Sequence, residues 1–170
     1  MELSKTTRDI LEKLADDLSN DMAQELIGQG HKNTGTLLES IRVVIREEAF
    51  SIVLEGSTLD YGVYLNNGRR PGGKRIPLEA LETWVEQRGI ANEEKEIRSI
   101  AYAIQTKIFK EGSPTFGSFK YSNNGRRREW IEYVLEQNED KIRKAFDDAF
   151  FNEMEVVLAN IIRGVDKQLK

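Results

Sequence analysis

The sequence predicts an α+β fold: a long N-terminal helix packed on a small antiparallel sheet, followed by helices that include a long C-terminal helix. Apolar residues recur every three or four positions over residues 3–27, and again from residue 129 almost to the end. This is the period of one helix face. Between residues 41 and 56 the apolar residues alternate instead, which is the period of a strand.

The first helix is expected over residues 3–27, with Gly28 and Gly30 ending it. Seven acids against three bases give residues 1–27 a net charge of −4, so the face that is not buried is acidic. This charged start differs from a signal peptide, and we expect no leader in it. The apolar face consists of Leu3, Ile10, Leu11, Leu14, Leu18, Met22 and Leu26.

Shorter elements follow in the next forty residues. Thr34 or Thr36 is expected to cap a short helical turn that ends at Ser40. Two alternating runs joined by residues 47–49 then predict a β-hairpin. Residues 61–65 (YGVYL) alternate once more and predict a third short strand. The inward positions of the three runs are Ile41, Val43 and Ile45; Phe50, Ile52 and Leu54; and Tyr61, Val63 and Leu65.

Helical patterns fill most of the remaining chain. Pro77 is expected to open a helix that Gly89 ends, and Asn92 to cap the next helix, which Gly112 ends. That second helix is expected to bury Ile97, Ile100, Ala101, Ile104 and Ile108. Trp84 and Trp130 lie on apolar stripes, so we expect both to pack in the core.

The C-terminal pattern over 129–169 would form one helix of about 60 Å if it were continuous. That exceeds the diameter of a domain of this size. We therefore expect a break at Asn138 or Asn152, or an end that projects onto a neighbouring molecule. The length of 170 residues suits a single domain over 1–170, with its core in about 1–150.

Two basic stretches stand out in a chain of net charge −4. Residues 66–77 (NNGRRPGGKRIP) and 117–128 (GSFKYSNNGRRR) each hold four cations and no acid, and both contain the pentamer NNGRR. They suit contact with nucleic acid, contact with acidic protein, or plain solvation; we favour protein, because arginine pairs well with carboxylates. The candidate contact residues are Arg69, Arg70, Lys74, Arg75, Arg126, Arg127 and Arg128.

Three aromatic residues, Phe116, Phe119 and Tyr121, lie in a segment without helical period. Large apolar groups in such a segment are typical of a docking surface, so we expect them to contact a partner.

No pattern in the chain indicates an enzyme. Nucleotide-binding, hydrolase and zinc-protease motifs are absent from the sequence, there is no cysteine, and His31 is the single histidine. We expect His31 to be a solvated surface residue, and we expect no catalytic site, no cofactor and no metal. No run reaches the ~18 apolar residues of a membrane span, so we expect no membrane contact.

Several stretches follow one another in an order that resembles the minor tail, tail-completion and head–tail neck proteins of tailed bacteriophages. They are TGTLLESI, DYGVYLNNGRRPGG, IPLEALETWVEQRGI and IAYAIQTKIFKEGSPTFG, and the resemblance covers about residues 1–150. The insertion TFGSFKYSNNGRRR and the long C-terminal helix depart from that pattern. The matching residues are Thr34, Gly35, Leu37, Ser40 and Ile41; Tyr61, Tyr64, Gly68, Arg69, Arg70 and Pro71; Pro77, Trp84 and Gly89; and Ala101, Ile104, Lys107, Ile108, Gly112 and Pro114.

The resemblance implies a structural virion protein of the neck, without a catalytic site, assembled in the bacterial host cytoplasm. It implies a ring of six or twelve copies that joins the portal to the tail and lets DNA pass. Its partners would be further copies, portal or connector proteins and tail proteins, with non-specific contact to the passing DNA. The alternative is an accessory protein that binds nucleic acid non-specifically through the two basic loops.

Overall fold

The computed structural model describes residues 3–31, 35–48 and 51–168, the last four of these by their backbone alone. It confirms the α+β class: a two-stranded antiparallel sheet among helices, with a long helix towards each end of the chain. The elements are α1 (Lys5–Gly28), α2 (Thr36–Ser40), β1 (Arg42–Glu47), β2 (Ile52–Ser57), α3 (Asp60–Asn67), α4 (Leu78–Gln87), α5 (Glu94–Glu111), a 3-10 helix (Phe116–Tyr121), α6 (Trp130–Gln137) and α7 (Glu139–Gln168).

The chain divides into two compact units. The first, here called the sheet unit, comprises Met1–Met22, Arg42–Ser57 and Glu132–Lys170. The second, the loop unit, comprises Ala23–Ile41 and Thr58–Ile131. Both predicted basic stretches lie in the loop unit. The single domain over 1–170 stays a prediction.

In the sheet unit, the predicted hairpin is confirmed. Strands β1 and β2 pair antiparallel, with Val43 opposite Gly56 and Ile45 opposite Leu54. Ile45 and Ile52 pack against a core that α1 and α7 complete; its buried members are Leu3, Leu11 and Ala149. Phe50 and Thr34, which the sequence placed in the hairpin and at a helix cap, lie outside the described residues.

A hydrogen-bonded serine fixes α1 on the sheet. Ser19 Oγ accepts a hydrogen bond from the backbone N–H of Val43 at 2.9 Å. The same hydroxyl donates to the carbonyl of Ala15 at 2.9 Å. Val43 is buried, so its N–H would otherwise lack a partner, which makes this serine a structural link between helix and strand.

The predicted break in the C-terminal pattern occurs at Asn138, between α6 and α7. The Asn138 side chain donates to the carbonyl of Val134 at 3.0 Å. Asparagine competes with the helix ladder through such local bonds, which explains why the helix ends here. Asn152, the other candidate, lies within α7.

The prediction of a third strand is wrong, because residues 61–65 belong to helix α3. Its two buried residues, Gly62 and Asn66, are four positions apart and so share one face of a helix. The Trp130 indole Nε1–H donates to the Gly62 carbonyl at 3.3 Å. A Cβ at Gly62 would lie 2.7 Å from Thr58 Oγ1. Packing of this face therefore decides the conformation, and the short alternation of tyrosine and valine remains on the exposed sides.

A second core, in the loop unit, joins α4 and α5. Leu81, Val85, Ala91 and Ala101 are buried there, with Ile97, Ile100 and Ile104 packed around them. Trp130 is fully buried as expected.

Three local predictions about this part of the chain are wrong. Trp84 is exposed, with the Arg88 guanidinium 5.6 Å from its ring. Glu93 rather than Asn92 precedes α5, and Gly35 rather than Thr36 precedes α2.

We predict that Ser19→Ala lowers the free energy of unfolding by about 1–2 kcal/mol, because the Val43 N–H loses its partner. Denaturant unfolding measures this directly. Ser99→Ala is the matched control, since Ser99 is exposed on α5 and its side chain has no hydrogen bond among the described residues. Equal midpoints for the two variants would contradict the assigned role of Ser19.

Candidate functional site

The second basic loop closes the C-terminal end of α1. The carbonyl of Gly28 accepts a hydrogen bond from the Asn123 N–H at 2.8 Å. The carbonyl of Gln29 accepts one from Arg127 Nη1 at 2.6 Å. A helix leaves its last carbonyls without donors, and a cation there also complements the helix dipole. This loop therefore caps a helix of its own chain.

Glu25 lies at the centre of this cap and is almost fully buried. Its carboxylate accepts from Arg126 Nε at 2.9 Å and from Arg126 Nη2 at 3.2 Å. Asn124 donates to both carboxylate oxygens, and Gln29 Nε2 to one. Burial opposes ionisation of Glu25, but the hydrogen bonds from Arg126, Gln29 and Asn124 outweigh it, so the pKa of Glu25 is lowered.

His31 belongs to the same cap, and its prediction as a solvated residue is wrong. The ring is half-buried, and its Nε2 lies 3.1 Å from the carbonyl of Arg127. Burial, followed by the positive charge of Arg127, lowers the pKa of His31 to about 4. The imidazole is therefore neutral at pH 7, and it contributes to the cap through its hydrogen bond with the carbonyl of Arg127.

The first basic loop lies against the C-terminal end of α5. Arg69 and Ser113 exchange two backbone hydrogen bonds of 2.7 and 3.0 Å. Gly68 and Gly112 flank this pair, both with positive φ. A Cβ at Gly68 would collide with the Ser113 carbonyl, and one at Gly112 with the Arg69 carbonyl. Glycine is thus required at both positions for the close approach.

Side chains complete the closure of the first loop. Arg69 Nη2 donates to the Lys74 carbonyl at 2.6 Å. The Arg75 guanidinium lies 4.5 Å from the centre of the Phe109 ring and donates to Gln105 Oε1. Two of the four cations in this stretch therefore hold the loop in shape.

Asn66, the first residue of the first pentamer, joins this loop to the start of α6. It is buried, and its backbone carbonyl accepts from the Glu129 N–H at 2.9 Å. Its side-chain Oδ1 accepts from the Ile131 N–H, also at 2.9 Å. Asn66 thus caps a helix 64 residues further along the chain by supplying acceptors to its free N–H groups.

Arg70 and Lys74 remain at the tip of the first loop. Both are exposed, and neither side chain has a hydrogen-bond or ion-pair partner among the described residues. The space that the loop encloses is about 10 Å³, which holds roughly one water molecule. A ligand would therefore contact these two cations from outside the loop.

The predicted aromatic residues lie on a 3-10 helix that follows α5. Phe116 is 85% exposed and Tyr121 is 64% exposed. Phe119 is also exposed, and Lys120 Nζ lies 4.9 Å from the Tyr121 ring. The Phe116 N–H donates to Glu111 at the end of α5, so these rings and the first basic loop are attached to the same end of one helix.

Arg128 is the last predicted contact residue. It forms an exposed ion pair with the adjacent Glu129 at 3.4 Å. The structure thus brings Arg69, Arg70, Lys74 and Arg75 together with the aromatic residues around the end of α5. It places Arg126, Arg127 and Arg128 at the α1 cap.

Sequence reasoning missed Glu25, Gln29 and Asn66. Nothing in their local sequence marks them, since each acts through a partner about 65 to 100 residues away. The repeated NNGRR pentamer is the one feature of the sequence that points to these contacts. Asparagine and glycine are typical turn residues, so their repetition indicates that both segments form turns with similar backbone hydrogen bonding.

Three observations concern ligands, membranes and known proteins. Within the described residues, no group of three or more histidine, cysteine or acidic side chains is placed to hold a metal ion. Over the same residues, no helix is long and apolar enough to cross a membrane. No protein-family model, curated protein or solved structure matches the chain.

We predict that Arg126→Gln lowers the free energy of unfolding at pH 7 by about 1–3 kcal/mol, because the buried Glu25 carboxylate loses a charged partner. Arg128→Gln, which breaks only an exposed pair, should change it by less than about 0.5 kcal/mol. Folding lowers the pKa of Glu25. Glu25 therefore stabilises the folded protein above the ordinary glutamate pKa, and this stabilisation is lost as the pH falls through the pKa of Glu25 in the folded state. Unfolding midpoints at several pH values should therefore converge for the two variants in acid; no difference at pH 7 would contradict the cap.

The pKa of His31 can be measured independently by NMR, because the single histidine gives one set of imidazole resonances. We predict a pKa of about 4 by NMR titration, and a rise towards the ordinary value in Arg127→Gln. Folding lowers this pKa, so the stabilisation is complete above pH 6.5 and is lost as the pH falls from 6.5 to about 4. A titration near 6.5 in the native protein would refute the buried position of the ring.

Proposed function

We propose that the chain is a structural protein of the phage head–tail neck, which joins portal and tail as one ring of copies. The proposal rests on one observation: two of the segments that resemble the phage proteins are in direct contact. The Gly-Arg-Arg-Pro loop and the segment that ends α5 pair directly, through Arg69 and Ser113. Motifs some forty residues apart thus form one structural unit, which supports their common origin in that family.

The end of α5 presents a surface suited to macromolecular contact. Arg70 and Lys74 stand at the tip of a loop that is closed by its own hydrogen bonds. Phe116 and Tyr121 are exposed on the adjacent 3-10 helix. Aromatic and arginine residues held on a rigid support are typical of protein interfaces. This surface, rather than the α1 cap, is therefore the proposed contact with a neighbouring copy or with the next ring.

Acidic helices supply the complementary charge for a ring contact. Residues 129–159 carry nine acids and three bases, a net charge of −6. A ring needs two different patches, one of which meets the other on the next copy. Arg70 and Lys74 against such an acidic helix form this kind of pair, and the proposed ring has six or twelve copies.

Nucleic-acid binding through both basic loops is less favoured. Arg126 and Arg127 make hydrogen bonds within their own chain, so the second loop has fewer cations available for phosphate than its sequence suggests. Contact of Arg70 and Lys74 with passing DNA remains compatible with the neck proposal, as a weak contact without sequence preference.

Deletion of the reading frame from its source genome tests the proposal. We expect negative-stain electron microscopy of the lysate to show heads separate from tails. Normal infectious particles in the deletion lysate would refute a role in the neck.

Complementation of that deletion tests the proposed surface. We predict that Arg70→Glu with Lys74→Glu fails to restore joined particles, although its unfolding midpoint stays near that of the parent, because both side chains are exposed. Lys5→Glu with Lys95→Glu makes the same charge change on exposed residues that form no ion pair with another described residue, and this variant should restore joined particles. If the loop variant complements as well as the control, these two cations are not the contact.

A further inference from the structure

The C-terminal half of α7 carries an apolar face that is exposed among the described residues. Asn152 and Glu153 hold the helix to the start of α1, through hydrogen bonds of 2.7–2.8 Å to Ser4 and Thr7. Beyond them, no side chain of 154–164 forms a hydrogen bond or ion pair with another described residue. The exposed large apolar residues that share one face of α7 are Phe150, Phe151, Met154, Val157, Leu158, Ile161 and Ile162.

Their spacing is that of a helix-pairing seam. In a heptad, Met154 and Ile161 occupy position a, Phe150 and Val157 position d, and Phe151 and Leu158 position e. Position g is polar, with Glu153, Asn160 and Lys167. Val156, although apolar, lies on the opposite side of the helix. A two-heptad seam with one polar flank is the pattern by which one helix recognises another.

The size of this face suits a specific interface. Each of the seven residues exposes roughly half of its surface, or on the order of 100 Å². Together they offer on the order of 700 Å² per copy, close to the share of one partner in a standard interface. Apolar surface of this extent on a folded protein typically marks a contact site.

Charge along the helix identifies the occupant and its direction. Residues 147–155 carry four acids, residues 156–162 carry no charge, and residues 163–170 carry three cations against Asp166. Two parallel copies would set like charges side by side. Two antiparallel copies set the acidic section of each against the basic section of the other.

We propose that α7 pairs antiparallel with α7 of a second copy of this chain, about a two-fold axis near residue 159. The heptad register then places Val157 beside Ile161 of the second copy, Leu158 beside Leu158, and Asn160 beside Asn160. It also sets position 167 opposite Glu153, a cation against an acid. The pairs 157–161 and 153–167 each occur twice, whereas the pairs 158–158 and 160–160 lie at the axis and occur once, as a two-fold interface requires.

A groove at the proposed contact supports the same register. It has a volume of about 640 Å³, and the residues that line it include Leu3, Phe146, Met154 and Glu153. The pairing brings residues 164–168 of the second copy beside Phe150 and Met154, which also line this groove. Gly164 falls opposite Met154, where a small residue allows close approach. The C-terminal end of one helix would thus lie beside the groove of the other copy.

Sedimentation of the full-length chain tests the pairing. We expect the parent to associate reversibly, and Leu158→Asp to weaken that association at least tenfold, because two carboxylates then face each other across the axis. Val156→Asp makes the same kind of change off the seam and should remain within about twofold of the parent. A parent that stays monomeric, or a Leu158→Asp variant that associates like the parent, would overturn the proposal.

Mixing two variants tests the register. Leu158→Asp and Leu158→Lys should each associate weakly alone and should pair when combined, because residue 158 meets residue 158. Circular dichroism confirms that each variant is folded before mixing. Failure of the mixture to pair would overturn the register about residue 159.

Spin labels test the direction in a chain that lacks cysteine. Asn160→Cys labels should lie close together, whereas Asp148→Cys labels should be separated by about 33 Å along the axis, at 1.5 Å per residue. A parallel pair would give equal, short distances at both positions and would refute the proposal. The seam lies in the sheet unit and Arg70 in the loop unit, so variants at 158 and at 70 separate this pairing from the proposed ring contact.

Discussion

The carbonyls of Gly28 and Gln29, at and just beyond the C-terminal end of α1, are the constraint from which the organisation of the loop unit follows. They need donors, and a stretch almost one hundred residues away supplies them through Asn123 and Arg127. Glu25 fixes that stretch in position by accepting from Arg126 and Asn124. Gln29 Oε1 and Arg127 Nε are buried without a hydrogen-bond partner among the described residues. Each such group costs about 1–3 kcal/mol, so the cap stabilises by less than its number of hydrogen bonds suggests.

The two NNGRR pentamers perform related tasks in different ways. The first supplies acceptors to the start of α6 through Asn66 and pairs with the end of α5 through Arg69. The second supplies donors to the end of α1. Asn-Asn-Gly suits both, because asparagine offers a donor and an acceptor within a turn and glycine permits positive φ. The basic character of an acidic chain at these points is thus partly explained by helix ends. Arg70 and Lys74 remain exposed in the first stretch, and Lys120 and Arg128 remain exposed in the second.

Periodicity predicted the long helices and the hairpin, because each covers enough residues for one period to dominate. The length of the C-terminal pattern predicted a break at Asn138 or Asn152, or a projecting end, and the structure has the break at Asn138. It failed over residues 61–65, where five residues fit a strand and a helix equally well. There the fully buried indole of Trp130 and the amide of Asn66 decide the outcome. Local sequence was also insufficient to assign roles to the basic residues. Arg70 and Arg127 occupy the same position of the NNGRR pentamer, but only Arg127 lies beside the end of a helix that is distant in sequence.

The sequence of a long amphipathic helix predicts the width of its apolar face, but it does not predict which residues cover that face. In α7, the turn at Phe146 and Ala149 packs on α1 and the sheet, and the face then continues past the last anchor at Glu153. Covering it with further residues of the same chain would require elements that the described part of the sheet unit does not contain. Exposing it costs free energy in proportion to apolar area, whereas a second copy presents the same face at no added chain length. The change of charge from acidic to basic along the helix then gives that pairing one direction, because only the antiparallel arrangement joins opposite signs.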